Sequence, residues 1–398
     1  MINRPKYMDL LINSKDRDYV KLLIGVRRCG KSTLLRLMNK HLLDNGVSAD
    51  RILNINFELI ENDRLKDGIV LHEFVRKNMP TNGKVYLLLD EVQEIIEWAR
   101  VVNSLRATFD CDIYATGSNA RMFIGEHLTY LAGRYISISV FPLTFAEFID
   151  FSNVSTTPNE HYRSFLCSSF PAVVLESNLN NKKMLTEDLF RTIFERDIIM
   201  KGNIGNVSVF YQVASYVLEN IGNQMSIKKI SDTLVSNGIK TQFNTVESYI
   251  SLMTKSYFLY HCKRYDIKGK EVLKTNGKYY VVDFGIRSKL VPNDGNRGKI
   301  LENFVFLELL KYGYEVYSGK VGRNYELDFV AKKDGKTIYV QVSESIIDPT
   351  TREREERPFS FLTDNHARYL VTLDVPMFSS DKEYTHLHLF DFLKVIQK

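Results

Sequence analysis

A glycine-rich segment near the amino terminus carries residues that could bind phosphate groups. It reads Gly25-Val26-Arg27-Arg28-Cys29-Gly30-Lys31-Ser32-Thr33, which matches the G-x-x-x-x-G-K-S pattern called Walker A. Gly25 and Gly30 allow the backbone to curl until successive N–H groups point at one place. Lys31 would then reach the β- and γ-phosphates of ATP, and the Ser32 hydroxyl would be a ligand of Mg²⁺. The predicted nucleotide contacts in this loop are Gly25, Arg27, Arg28, Cys29, Gly30, Lys31, Ser32 and Thr33.

The residues around this loop predict the secondary structure that an ATP-binding loop needs. Val20 to Val26 is a short apolar run, which is typical of a buried strand. Further on, apolar residues recur at helical spacing from Leu34 to Leu42. A helix that leaves the loop places the positive end of its dipole at the phosphates. These flanks argue against the alternative, a chance glycine-lysine loop.

Two adjacent carboxylates at the end of another apolar strand add the chemistry of hydrolysis. Val85 to Leu89 is apolar throughout and is followed by Asp90 and Glu91, which is the Walker B pattern. Asp90 would hold Mg²⁺ directly or through water. Glu91 would polarise the water that attacks the γ-phosphate. The alternative is a solvated strand end without a catalytic role.

Polar residues also follow a third apolar strand, which the sequence predicts from Cys111 to Asn119. In nucleotidases that insert a strand between the Walker A and Walker B strands, this position carries a polar sensor of the water or the γ-phosphate. Either Ser118 or Asn119 could be that sensor, and we count Asn119 among the candidate catalytic residues. The alternative for Asn119 is a helix cap.

An arginine before a later strand is a further candidate. Arg134 follows Leu131-Ala132-Gly133 and precedes a predicted strand that runs from Tyr135 to Val140. Supplied by a neighbouring subunit, it would stabilise transition-state charge on the γ-phosphate. The alternative is an ordinary solvated cation. The predicted catalytic set is therefore Lys31, Glu91, Asn119 and Arg134.

Composition limits the class of protein. The chain has 398 residues, 44% hydrophobic and 25% charged, which is typical of a soluble protein of two to four domains. The longest apolar runs are far shorter than a membrane span, and the first residues lack the apolar core of a signal peptide. The four cysteines are widely separated, without metal-ligand spacing or a disulfide framework. These observations predict a cytoplasmic protein.

Several motifs occur in an order that resembles a known family. They are Gly25 to Thr33, Asp90-Glu91-Val92-Gln93, Thr116-Gly117-Ser118, Leu131 to Arg134 and Phe141-Pro142-Leu143-Thr144-Phe145-Ala146-Glu147-Phe148. Together they resemble the prokaryotic AAA+-type ATPases that carry a C-terminal domain of unknown function. The resemblance implies an α/β P-loop core with a parallel sheet, a winged helix-turn-helix and a restriction-endonuclease-like α/β end. A trans role for Arg134 would require a homo-oligomer formed through the ATPase core.

The residues after about 207 predict helices followed by a hairpin, as in a winged helix-turn-helix. One helix contains Val209 to Leu218, a second begins at Ser226, and a third begins at an Asn244 cap. Strands at Tyr257 to Cys262 and Tyr279 to Asp283 enclose a turn that contains lysine and glycine.

This segment is also basic. Between residues 226 and 292 there are 12 lysines and arginines against 5 carboxylates, while the whole chain has a net charge of only +5. Such a stripe is typical of a surface that contacts DNA phosphates. Lys228 and Lys229 would meet the backbone, and Gln242, Asn244 and Thr245 would meet base edges. The alternative is a protein-docking surface.

The last part of the chain resembles the PD-(D/E)XK nuclease core. Glu302 lies in a predicted helix, Asp328 in one strand and Gln341 in the next. In that family two carboxylates bind Mg²⁺ and a lysine positions the attacking water. Here Gln341 stands where glutamate is common, and Ser343 replaces the lysine. The sequence therefore predicts a degenerate nuclease site.

These patterns divide the chain into four predicted parts. Residues 1–151 form the ATPase core, 152–206 a helical lid or connector, 207–294 the winged helix-turn-helix and 295–398 the nuclease-like domain. The predicted function is Mg²⁺-dependent ATP hydrolysis coupled to binding of duplex DNA or a protein partner. The sequence predicts no membrane as a partner. The alternatives are a nucleotide-dependent switch with little turnover and an ATP-gated nuclease.

Overall fold

The computed structural model describes residues 2–80, 83–118, 130–152, 154–292, 296–322, 325–376 and 383–397, with only the backbone at 274 and 275. They form two compact units. Unit 1 comprises Met1–Asn153, Phe170–Lys182 and Lys255–Tyr257, and unit 2 comprises Val154–Ser169, Lys183–Thr254 and Phe258–Lys398. The boundary predicted at residue 294 lies inside unit 2, and the four-part division stays a prediction. Among the described residues, no helix combines the length and apolarity that crossing a membrane requires.

Strands and helices alternate in unit 1, while unit 2 has longer runs of each. The strands are β1 (Val20–Ile24), β2 (Ile52–Asn56), β3 (Val85–Asp90), β4 (Cys111–Gly117), β5 (Tyr135–Ser139), β6 (Leu259–Asp266), β7 (Glu271–Val281), β8 (Glu315–Val321), β9 (Tyr325–Lys333), β10 (Lys336–Val342), β11 (Ala367–Thr372) and β12 (Thr385–His388). The α-helices are α1 (Pro5–Asn13), α2 (Lys31–Asp44), α3 (Gly68–Asn78), α4 (Trp98–Thr108), α5 (Phe145–Ser152), α6 (Pro158–Phe165), α7 (Pro171–Leu175), α8 (Leu179–Phe190), α9 (Val207–Glu219), α10 (Ile227–Ser236), α11 (Phe243–Lys255), α12 (Phe284–Arg287), α13 (Arg297–Lys311), α14 (Pro349–Glu356) and α15 (Leu389–Ile396). A π-helical segment, Arg191–Met200, continues α8.

The sheet of unit 1 is parallel, with the strand order β2-β3-β4-β1-β5. The α/β class and the parallel sheet predicted for this part are therefore confirmed. β4 lies between β1 and β3, so the strand that ends in small polar residues separates the Walker A and Walker B strands. Because the strands are parallel, their carboxyl ends meet at one edge, where α/β proteins bind ligands.

Apolar packing fixes this sheet in place. Every residue of β3 is buried, as expected for a strand covered on both faces. Leu87 and Leu89 join a core that includes Trp98 and Val102 of α4. Burying one such side chain contributes about 1.5–3 kcal/mol to folding. The core therefore holds the end of β3, where Asp90 lies, in a defined position.

The polar stretch from Glu61 to Met79 has a helical pattern, and the structure divides it into a 3₁₀ segment, Ile60–Lys66, and the helix α3. The break is at Asp67, whose side chain accepts hydrogen bonds from the backbone N–H groups of Ile69 and Val70. Asp67 thus caps a new helix, because a capping carboxylate satisfies N–H groups that a continuous helix would bond internally.

Unit 2 contains a mixed sheet with the order β12-β11-β10-β9-β8-β6-β7. The β6–β7 hairpin and the β8–β9–β10 meander share it, because β6 pairs in parallel with β8. Residues 207–292 have the predicted order of helices and hairpin, although α11 begins at Phe243 and not after an Asn244 cap. The winged helix for this segment and the nuclease fold for the segment after it both stay predictions.

Candidate phosphate-binding edge

The loop between β1 and α2 has the backbone geometry that its glycines predict. Gly25 has φ +149°, and a Cβ atom there would lie 2.0 Å from the carbonyl oxygen of Val140. Gly30 has φ +110° and directly precedes α2. The N-terminus of α2 therefore begins at Lys31, where its unpaired N–H groups and its dipole favour an anion.

The side chains of this loop divide into two groups. Lys31 is 3% exposed, and its Nζ donates to the carbonyl oxygens of Gly25 and Val26 at 3.0 Å each. Lys31 therefore lies across the loop whose backbone would hold the phosphates. By contrast, the Cys29 thiol is buried and donates to the Val140 carbonyl at 3.2 Å. Burial raises the pKa of Cys29, so the thiol is a packing group.

The other predicted contacts of the loop range from the buried Arg27 to the exposed Arg28. Arg27 forms an ion pair with Glu58 at 2.7 Å. Arg28 is exposed and has a left-handed φ of +63°. Thr33 accepts a hydrogen bond from Arg36 at 3.2 Å. A nucleotide contact from Arg27 would compete with Glu58, and one from Thr33 would compete with Arg36. Because the Cys29 thiol is buried, any nucleotide contact from Cys29 would come from its backbone.

A carboxylate of β3 lies beside this loop. Ser32 Oγ donates to Asp90 Oδ1 at 3.1 Å, and Thr116 Oγ1 of β4 donates to the same oxygen at 2.5 Å. Thr116 also accepts from the backbone N–H of Glu91 at 2.8 Å. Burial raises the pKa of Asp90, while the hydrogen bonds from Thr116 and Ser32 act against that rise. The predicted metal ligands Ser32 and Asp90 are thus in contact.

Glu91 follows Asp90 in a left-handed conformation, with φ +60°. It is 6% exposed and accepts a hydrogen bond from Gln93 Nε2. Burial acts to raise the pKa of Glu91, but the Lys31 ammonium and the Gln93 hydrogen bond hold it below its ordinary value. Glu91 is therefore ionised at neutral pH, as a general base must be.

The predicted sensor position is described only in part. Ser118 is buried, and Gln93 Nε2 lies 3.4 Å from its hydroxyl. Asn119 lies outside the described residues. Within the described ranges, the buried Oε1 atom of Gln93 has no hydrogen-bond partner. Gln93 and Ser118 are therefore polar groups next to Glu91.

The structure does not bring Arg134 to this edge. Arg134 is exposed, donates to Asn103 at 3.3 Å, and precedes β5, whose first residue pairs with Val20 of β1. It lies at the amino-terminal end of the strands, whereas the loop follows their carboxyl ends. A strand of five residues is roughly 16 Å long, and this length separates Arg134 from the loop. Arg134 therefore does not belong to the same site within one chain.

Two neighbours of the loop are not predicted from the sequence. For Thr116, the position at a strand end beside Walker B is a usable signal. Arg4 has no such signal, because its partner Glu147 lies far along the chain. The Arg4 guanidinium donates to the Cys29 carbonyl at 3.0 Å and to both Glu147 oxygens at 2.8 and 2.7 Å. Arg4 therefore fixes the loop to the Phe141–Phe148 motif.

In unit 2, the candidate DNA-binding side chains lie on accessible parts of α10 and α11. Lys228, Lys229, Gln242 and Asn244 are exposed, and Thr245 is half-buried. The basic stripe is smaller than the sequence suggests. Lys278 and Arg287 are buried, with exposed fractions of 2% and 3%. These two cations cannot contact phosphates at the surface.

The predicted nuclease-like residues do meet, around one of these buried cations. Lys278 Nζ lies 2.8 Å from Glu302 Oε1 and 3.0 Å from Asp328 Oδ1. Gln341 accepts from the backbone N–H of Asp328 at 3.1 Å and donates to Glu355 at 2.6 Å. The helix and strands predicted for these residues are present as α13, β9 and β10.

Comparison with known proteins agrees with the fold of unit 1. The family model described as AAA domain matches residues 17–149, and a model for a domain of unknown function, DUF8612, matches residues 160–297. With the parallel sheet and the loop, the first match identifies an amino-terminal P-loop ATPase domain of the AAA type, a nucleotide-binding class.

The chain has relatives along nearly its whole length. An uncharacterized protein of Haemophilus influenzae is 36% identical over 380 residues, which cover 94% of this chain and 93% of that protein. The chain therefore belongs to the same family as this protein. An uncharacterized protein of Methanocaldococcus jannaschii is 28% identical, covering 90% of this chain and 81% of the relative. Among solved structures, a Walker-type ATPase of Pyrococcus abyssi matches with TM-score 0.45 at 15% identity, covering 73% of this chain and 96% of that one.

Proposed function

We propose that unit 1 binds ATP with Mg²⁺ and hydrolyses it to ADP and phosphate. The observation that carries this proposal is the convergence of Lys31, Ser32, Asp90 and Glu91 at one sheet edge. Lys31 crosses the loop at 3.0 Å from two of its carbonyl oxygens, and Ser32 and Asp90 are 3.1 Å apart. This is the cation, hydroxyl and carboxylate set that phosphoryl transfer uses.

The residues present fit a magnesium ion. The Ser32 hydroxyl and the Asp90 carboxylate are hard oxygen donors, and Mg²⁺ prefers such ligands together with substrate phosphates. When bound, Mg²⁺ would offset the charge of the phosphate oxygens. Thr116 holds Asp90 through a 2.5 Å hydrogen bond and so orients its carboxylate toward Ser32. Lys31 would bind the phosphates directly.

Glu91 is the proposed base. Its ionised carboxylate would accept a proton from the attacking water, and Gln93 would orient it. The hydrogen bond from Gln93 also supports a second candidate function, a nucleotide-dependent switch with little turnover. In a switch, Gln93 would keep Glu91 away from the water for most of the time. The rate of turnover separates these two functions, since both require ATP binding.

We also propose that the nucleotide state of unit 1 controls binding of duplex DNA by unit 2. Support comes from the exposed Lys228 and Lys229 at the start of α10 and from the exposed polar residues at the start of α11. Exposed lysines can pair with DNA phosphates, and polar side chains at a helix N-terminus can read base edges. A protein partner with an acidic surface is the competing occupant.

One experiment tests both parts of this function. ATP turnover is measured with the full chain and Mg²⁺, with and without duplex DNA. We expect measurable turnover that duplex DNA stimulates. If duplex DNA leaves the turnover unchanged, the proposed coupling to DNA is contradicted, whereas the proposed hydrolysis of ATP still stands. Absence of turnover in both conditions, with ATP still bound, would favour the switch.

A further inference from the structure

A buried lysine of unit 2 lies among three carboxylates. Lys278 Nζ is 2.8 Å from Glu302 Oε1, 2.8 Å from Glu326 Oε1 and 3.0 Å from Asp328 Oδ1. Only 3% of the Lys278 side chain is exposed. These three acids come from α13 and β9, whereas the lysine comes from β7 of the hairpin. The three carboxylates therefore surround a cation that comes from an element other than their own.

Protein donors also occupy the other oxygens of Glu302 and Asp328. Glu302 accepts from Tyr280 at 2.6 Å through Oε1 and from Lys299 at 2.9 Å through Oε2. Asp328 Oδ2 accepts from the backbone N–H of Val342 at 3.0 Å. Glu302 and Asp328 therefore each accept hydrogen bonds from the chain itself at both of their oxygens, which is the condition under which a buried ion pair is tolerated.

The nuclease resemblance implies Mg²⁺ at Glu302 and Asp328, and the residues present do not fit it. Mg²⁺ requires oxygen ligands at about 2.0–2.1 Å in octahedral geometry. Here an ammonium lies at the point on which the carboxylates converge. Throughout the described ranges, no group of three or more His, Cys, Asp or Glu side chains is placed to hold a metal ion.

The charges of the cluster agree with this geometry. Burial acts to lower the pKa of Lys278, but Glu302, Asp328 and Glu326 raise it well above its ordinary value. Burial acts to raise the pKa of Glu302, yet Lys278 and Lys299 hold it below its ordinary value. Burial and the Glu302 charge raise the pKa of Asp328 to about 6. Lys278 therefore stays charged and is the counter-ion of the cluster.

We propose that Lys278 is the resident cation of this cluster and takes the place of a divalent metal, so that the nuclease-like site of unit 2 binds no Mg²⁺. The cluster then joins the β6–β7 hairpin to α13 and β9. Because β6 also pairs with β8, the hairpin is held by the sheet at one side and by Lys278 at the other. The ATP-gated nuclease is thereby disfavoured.

Manganese binding by the nucleotide-free full chain tests this proposal. Mn²⁺ substitutes for Mg²⁺ and is detected by electron paramagnetic resonance, while thermal melting reports stabilisation. We expect the unsubstituted chain and the Asp328→Asn chain to bind the same amount of Mn²⁺. Equal binding would mean that no Mn²⁺ site of the unsubstituted chain depends on Asp328. The Lys278→Met substitution removes the cation and should therefore lower the melting temperature. It should also create a Mn²⁺ site, so that added Mn²⁺ raises the melting temperature again. Adding Asp328→Asn to that variant should abolish both the Mn²⁺ binding and this rise.

Lys299→Met is the matched control, because it removes another lysine that touches Glu302 and leaves Lys278 in place. It should gain no Mn²⁺ site. If the unsubstituted chain binds Mn²⁺ in an Asp328-dependent way, the proposal is overturned. A folded Lys278→Met chain that binds no Mn²⁺ would overturn it too. Should Lys278→Met fail to fold, the comparison of the unsubstituted chain with Asp328→Asn decides by itself.

Discussion

At the scale of single residues, the phosphate-binding edge depends on side chains that act in pairs. Lys31 lies across its own loop, and its charge helps to keep Glu91 ionised. Thr116 joins the Asp90 carboxylate to the Glu91 backbone, since it donates to the first and accepts from the N–H group of the second. A substitution at one of these residues should therefore affect its neighbour as well as its own contact.

Lys31→Ala should lose ATP binding, because it removes the cation placed at the β- and γ-phosphates. Charge-assisted hydrogen bonds contribute about 1.5–3 kcal/mol each, so we expect affinity to fall by about 100-fold or more. Titration with a fluorescent ATP analogue measures this. Lys40→Ala, at an exposed position of α2, is the matched control and should bind normally. Equal affinity in both variants would contradict the assignment of the loop.

Thr116→Val keeps the shape of the side chain but removes both hydrogen bonds of its hydroxyl. It leaves the buried N–H of Glu91 without an acceptor, at a cost of about 1–3 kcal/mol of unfolding free energy. Loss of a group that orients a metal ligand typically lowers activity by about 10–100-fold. Urea unfolding and ATP turnover check the two effects, with the exposed Thr108→Val as control. Unchanged turnover would exclude an orienting role for Thr116.

At the scale of elements, the sequence predicted what short-range patterns determine. The Walker A loop with β1 and α2, and the Asp90–Glu91 end of β3, follow from local spacing. The contact of Arg4 with Glu147 could not be predicted, because 143 positions separate them and only the fold brings them together. The same holds for Lys278, whose partners lie on α13 and β9. The sequence places Lys278 in the basic segment between residues 226 and 292, because periodicity does not show which lysine is buried with acids.

The exposed start of α10 carries the element-scale prediction for DNA. Replacing both Lys228 and Lys229 with alanine should weaken binding to every duplex and reduce the slope of log affinity against log salt by about two phosphate contacts, each worth about 0.9. Asn244→Ala should instead change the preference among sequences. Fluorescence anisotropy at several salt concentrations measures both.

Lys394→Ala is the control for this prediction, since it removes an exposed lysine outside the basic segment. It should leave both the affinity and the salt slope unchanged. If the unsubstituted chain shows a flat salt dependence, the basic surface does not bind DNA. An acidic protein would then be the partner to seek.

At the scale of the whole molecule, the two units carry different chemistry. Unit 1 contains the phosphate-binding edge, and unit 2 contains the basic surface and the lysine-filled carboxylate cluster. The position of Arg134 relates the phosphate-binding edge of unit 1 to the assembly of several copies of the chain. Because Arg134 lies at the opposite end of the strands from its own loop, it could act only on the nucleotide of another copy.

Arg134→Ala should therefore be inactive in ATP turnover by itself, although it binds ATP. Mixed with the Lys31→Ala chain, it should regain some turnover, because an intact loop can then meet an intact arginine at a shared interface. Arg100→Ala, which removes an exposed arginine of α4, is the matched control and should need no rescue. Failure of rescue in mixed oligomers would leave Arg134 an ordinary surface cation.

Hydrolysis of ATP by unit 1 with Glu91 as the base is tested most directly by comparing ATP binding and turnover in the Glu91→Gln chain. An amide cannot accept the proton of the attacking water, so turnover should fall by about 100-fold or more while ATP affinity stays within a few-fold. Glu61→Gln, at an exposed position, should match the unsubstituted chain in both measurements. Turnover by Glu91→Gln at the unsubstituted rate would contradict the account, because another group would then activate the water.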